Sequence, residues 1–76
     1  MTEKKIIDSR GSICPGPLVD LIMAMKNASA GDEFEVLSTD EKSVEEIPRW
    51  IERVGHDYLG VHEDHGVWHV RVRRSS

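Results

Sequence analysis

This sequence of 76 residues holds one cysteine, one phenylalanine, one tyrosine and two tryptophans, and it has no apolar run long enough to span a bilayer. A lone cysteine excludes an internal disulfide. A small secreted fold would normally need several, so a reducing, cytoplasmic setting is expected and any disulfide-type chemistry must be intermolecular. Met1-Thr2-Glu3-Lys4-Lys5 is followed only by Ile6-Ile7 before Asp8, which lacks the apolar stretch of a signal peptide. Concentrated positive charge is also missing: the net charge is −4, and the only basic cluster is Arg71, Arg73 and Arg74. Direct nucleic-acid binding is therefore not expected, because a phosphate backbone rewards a basic face. Repeats, low-complexity tracts and linker-like stretches are absent. One domain over residues 1–76, read as a monomer, is the expectation.

What is present reads as a small α/β fold. Hydrophobic residues make up 38% of the chain and charged residues 32%, a globular balance. Lys4 to Asp8 reads as a first strand, and residues 9–13 as a loop. From Leu18 onward, Leu18, Leu21, Ile22 and Met25 recur at helical spacing up to about Ser29, with Gly31 as the stop. Phe34 and Val36 alternate with Glu33 and Glu35, which predicts a strand over Asp32 to Thr39. Ser43 and Glu46 match a capping box before the stripe Val44, Ile47, Trp50, Ile51 and Val54, closed by Gly55. Pro48 inside that stripe removes a helical hydrogen bond and predicts a kink or a late start. Tyr58 to Glu63 and Val67 to Arg73 read as a hairpin around a three-residue loop, Asp64-His65-Gly66, with Trp68, Val70 and Val72 on one face. The order βαβαββ predicts an α+β two-layer sandwich: a four-stranded mixed sheet with two helices on one face.

The chemistry concentrates at Cys14, which lies between the first loop and Pro15-Gly16-Pro17. Proline is favoured at the first helical position, and the residue before a proline is pushed into the extended geometry that an N-cap residue needs. Cys14 is thus expected at the N-cap, with Pro15, Gly16 and Pro17 as the first helical residues. Gly16 is the only one of the three with a backbone N–H to offer the sulfur, and its lack of a side chain leaves the sulfur open to another protein. The positive end of a helix favours thiolate over thiol, and Arg10 in the same loop is a second source of positive charge. The opposing reading is a small, inert, partly buried cysteine. The residues alone leave both open.

Asp8-Ser9-Arg10-Gly11 followed by Cys14-Pro15-Gly16-Pro17-Leu18 resembles the opening of the TusA/SirA-type sulfur-carrier proteins, whose hallmark is Cys-Pro-any-Pro. The resemblance continues through Gly31-Asp32, the Asp40 loop, Ile47-Pro48-Arg49-Trp50, Gly55-His56 and the final hairpin. It implies a βαβαββ two-layer fold and a sulfurtransferase in which Cys14 carries persulfide sulfur. It further implies a donor of cysteine desulfurase or rhodanese type and an acceptor protein serving tRNA thiolation, cofactor synthesis or sulfur metabolism. Pro48 falls where the family tolerates a proline. Gly16 departs from members that carry an acidic residue between the prolines, a difference that bears on partner recognition. Two other functions use the same fold: a binding or regulatory module that leaves Cys14 idle, and a thiol redox sensor.

No cofactor is expected. His62, His65 and His69 together with Cys14 are residue types that suit zinc or copper, but their spacing places His65 at a hairpin tip with the others on separate strands, so no metal site is expected. His56, after Gly55, is read as a cap of the second helix. Val19 and Met23, four residues apart, widen the first helix's apolar stripe. They are read as its buried edge in preference to a docking surface for a relay partner.

Overall fold

The computed structural model describes residues 4–13 and 16–75. Its elements are β1 (Lys4–Ser9), α1 (Gly16–Lys26), β2 (Glu33–Ser38), α2 (Glu41–Val54), β3 (Asp57–Asp64) and β4 (Val67–Arg73). The sheet order is β1-β2-β4-β3, with β1 parallel to β2 and the other neighbours antiparallel. This is the expected four-stranded mixed sheet with two helices packed against it.

The core forms where the helical and strand periodicities meet. Leu21 and Met25 of α1 and Ile47 and Ile51 of α2 close over Phe34 and Val36 of β2 and Val70 and Val72 of β4. At ~25 cal/mol per Å² of apolar surface removed from water, these eight side chains are the main source of stability. In α2, Val44 and Trp50 are half-buried against this cluster, whereas Val54 is exposed.

Several boundaries differ from the sequence expectation. The cap of α2 is Asp40, whose carboxylate accepts from the Ser43 N–H at 3.2 Å and the Ser43 hydroxyl at 2.8 Å. Ser43 is therefore a buried residue inside the first turn, and the helix starts earlier than the Ser43 cap implied. Nor does Pro48 delay or interrupt it: α2 runs unbroken from Glu41 to Val54. The hairpin turn has two residues, because Asp64 pairs with Val67 and both His65 (φ 52°) and Gly66 (φ 80°) are left-handed. That pair of angles marks a type I′ turn, which matches the twist of the flanking strands.

The C-terminal basic residues are dispersed. Arg73 pairs with Asp57 at 2.9 Å, while Arg74 bonds the carbonyls of Met25 and Ala28 at the end of α1. The end of α2 closes through Gly55 (φ 84°) and the His56 N–H, both bonding back to the last turn. The His56 ring instead packs against Trp50 and accepts from the Ser75 N–H. Among the described residues, no helix is long and apolar enough to cross a membrane.

Candidate functional site

The paired strands β1 and β2 end side by side, at Ser9 opposite Ser38. Beyond their carboxyl ends lie the loop that leads to Cys14 and, next along the chain, the start of α1. In open α/β arrangements this edge is where function collects, because connecting loops and helix N-termini converge there. Cys14 and Pro15, the centre of the expected site, lie outside the described residues. What the structure gives is the frame on either side of them.

That frame is hydrogen-bonded across three elements. The hydroxyl of Ser9, 2% exposed, donates to Asp20 Oδ2 at 2.7 Å and so ties the end of β1 to the second turn of α1. Ser12 N–H donates to the Ser9 carbonyl at 3.1 Å, folding the loop back on the strand end. Gly11, at φ 85°, where a side chain would be strained, donates its N–H to Thr39 Oγ1 at 2.9 Å. Pro17 is buried beneath the first turn of α1.

Two supporting roles assigned from the sequence change. Gly16 N–H donates to the Ile13 carbonyl at 2.8 Å, so it closes the backbone locally where it was expected to face the sulfur. Gly16 has a packing reason as well: a Cβ there would meet Ser12 Cβ at 3.2 Å. Arg10 turns to Asp8, with Nε on Oδ1 at 2.8 Å and Nη2 on Oδ2 at 2.7 Å. The Arg10 guanidinium holds the Asp8 carboxyl down at about 2, so the arginine's charge is already matched. The remaining source of positive charge considered for this edge is the helix N-terminus of α1, whose first turn carries no acidic residue.

Exposed apolar side chains lie in this loop and along α1. Ile13, next to Cys14 in the chain, is 78% exposed, and Val19 and Met23 are 47% and 55% exposed. The buried-stripe reading of Val19 and Met23 fails because α2 and the sheet cover only the Leu21 and Met25 side of α1.

On the sheet face away from the helices, His62 and His69 pair directly and their rings stack at 4.6 Å. His69 also contacts Glu35 at 3.1 Å, and Lys4 reaches the same carboxylate at 3.2 Å. The His69 contact and the Lys4 ammonium hold the Glu35 carboxyl below its ordinary value, against the opposing effect of burial. The strand register thus unites two of the three histidines, while His65 stays at the exposed tip. Among the described residues, no three potential ligands converge as a metal ion would need.

The chain is a two-layer βαβαββ domain whose single cysteine, followed by Pro15, falls between the first strand and the first helix. Residues 5–74 match the family model described as Sulfurtransferase TusA, and the chain belongs to that family. It is 39% identical over 69 residues to a candidate sulfur carrier protein of Archaeoglobus fulgidus, covering 91% of this chain and 94% of that one. It is 31% identical over 75 residues to the sulfur carrier protein TusA of Pseudomonas putida, covering 99% and 94%. Among solved structures, the SirA-like protein of Desulfitobacterium hafniense superposes with a TM-score of 0.82 at 25% identity, covering 95% of this chain and 99% of that one. Family and relatives support a sulfur-carrier role, which implies sulfur donor and acceptor proteins in general.

Proposed function

We propose that the protein is a sulfurtransferase that carries sulfur as a persulfide on Cys14. The observation that carries this reading is the frame around that residue in a family of sulfur carriers: an eleven-residue helix begins at Gly16 with no acidic residue in its first turn, at the carboxyl edge of the parallel strand pair. The positive end of such a helix favours a thiolate close to it in sequence and raises the reactive fraction near neutral pH.

The Cys14 thiolate attacks the outer sulfur of a donor persulfide. A new S–S bond forms on Cys14, the donor's S–S bond breaks, and the donor cysteine leaves as thiolate. An acceptor thiolate then attacks the outer sulfur on Cys14, takes it as its own persulfide, and releases the Cys14 thiolate. No net oxidation occurs and no cofactor enters. The donor is of cysteine desulfurase or rhodanese type, and the acceptor serves tRNA thiolation, cofactor synthesis or sulfur metabolism.

Incubation with a cysteine desulfurase and cysteine, or with a rhodanese and thiosulfate, should add one sulfur atom to the intact protein by mass spectrometry. Cys14→Ser should add none. Equal gain in both proteins, or no gain in the wild type with any donor, sinks the reading.

A further inference from the structure

Thr39 stands 28 residues from Gly11, yet its hydroxyl oxygen accepts the Gly11 N–H at 2.9 Å. The parallel register makes this possible: with Ser9 opposite Ser38, residues 10–11 and 39 leave the sheet together at one edge. Both sides of the contact are exposed, but they differ in how the chain around them is anchored. Gly11 belongs to a loop whose neighbours Arg10, Gly11 and Ile13 are exposed. Thr39 sits in a two-residue connection between β2 and α2 that is fixed at both ends. Before it, the fully buried Ser38 bonds its Oγ to the Asp40 N–H at 3.1 Å. After it, Asp40 caps α2 through Ser43. A fixed acceptor thus holds a donor in the loop three residues before Cys14.

We infer that Thr39 is a positioning residue for sulfur transfer: its hydroxyl holds the loop of residues 10–13 that leads along the chain to Cys14, and that hold speeds exchange with donor and acceptor sulfurs. This rests on the persulfide reading above. Reaction at a single sulfur is sensitive to misplacement on the scale of about 1 Å. The loop's other described hydrogen bonds run to Asp8, Ser9 and the start of α1, and the Gly11 to Thr39 bond is the one among them that ties it to the β2 to α2 connection. Thr39 touches no reacting atom in this account. It acts through Gly11.

The test compares Thr39→Val, which keeps the shape and removes the acceptor, with Thr39→Ser, which keeps the acceptor. Each is measured by the initial rate of sulfur uptake from a desulfurase, by the iodoacetamide alkylation rate of Cys14, and by amide exchange at Gly11. Loss of one such hydrogen bond should slow sulfur uptake in Thr39→Val roughly three- to tenfold, with faster Gly11 exchange and a changed alkylation rate. Thr39→Ser should stay close to wild type in all three. The inference is overturned if Thr39→Val matches wild type in uptake, if Thr39→Ser falls as far as Thr39→Val, or if Thr39→Val fails to fold, which would make the hydroxyl a general stability element. Alkylation and amide exchange need no sulfur donor. A wild type that takes up no sulfur therefore sinks the persulfide reading, while these two measurements still decide whether Thr39 holds the loop.

Discussion

At the start of α2, the Asp40 carboxylate accepts from the N–H and the hydroxyl of Ser43, and Glu41 adds negative charge to the first turn. At the start of α1, the first turn holds no acid, Pro17 has no N–H to cap, and the Gly16 N–H is spent on the Ile13 carbonyl. Both helices end a β-to-α connection at the same edge of the sheet, and both present a positive dipole end there. In α2 that potential is neutralised by the protein's own side chains, which stabilises the helix. In α1 no acidic residue among the described residues of the first turn does so, and Cys14 stands two residues before Gly16 in the chain. One N-terminus is capped for stability, and under the proposed function the other serves chemistry.

Asp40→Ala should break the stability side of the contrast with the largest effect. It removes the cap and leaves the fully buried Ser43 hydroxyl without that partner, costing about 2 kcal/mol. For a domain of this size the melting temperature should fall by roughly 8–16 °C. A variant that melts with the wild type would show that α2 is not held by its cap.

The helical stripes were legible because each is written in adjacent residues: Leu21 with Met25 and Ile47 with Ile51 are both four apart and fully or nearly buried. The start of α2 was misread because Ser43 and Glu46 imitate a capping box while Asp40 reads as a loop residue. Only the packing, which buries Ser43, decides between them. The hairpin turn was one residue too long because a left-handed histidine carries no sequence signal comparable to that of glycine. The prolines after Cys14 suggested a helix start, and α1 is described from Gly16 onward, but the frame around that start was not legible. The contact of Gly11 with Thr39 arises from a parallel register, and that of Ser9 with Asp20 from the packing of a helix on a strand. Neither leaves a periodic trace. Arg10 and Asp8 were both visible in the sequence, yet spacing alone does not say whether the arginine turns toward the aspartate or the thiol.

Val19→Glu tests the chemical side with a smaller effect. Val19 is exposed in the first turn of α1, so an acid there gives α1 what Glu41 gives α2. The helix dipole favours that carboxylate by about 0.3–1 kcal/mol, so the melting temperature should hold or rise slightly. The added charge should disfavour the Cys14 thiolate and move the midpoint of its alkylation pH profile upward by roughly 0.2–0.7 units. Stability and reactivity should move in opposite directions. An unchanged midpoint in a well-folded variant would mean that the end of α1 does not activate the thiol.

Asp8→Asn has the smallest expected effect and isolates the contribution of Arg10. In the wild type the Asp8 carboxyl is held near 2, below its ordinary value of 3.8. A carboxylate depressed in the fold contributes stability that is present above its ordinary value and is lost as pH falls from about 3.8 toward 2. It therefore stays ionised, and Arg10 stays matched, over the whole range in which a thiol titrates. Replacing the carboxylate by an amide leaves the guanidinium charge unmatched at the loop. Cys14 alkylation should then speed up by less than about twofold at low salt, and the gain should vanish at about 1 M salt, where surface charges are screened within ~3 Å. Exposed surface pairs of this kind contribute little to folding, so melting above pH 4 should not change. A rate that falls instead would mean that the Asp8 to Arg10 pair shapes the loop, which would move it from the electrostatics of the site to its geometry.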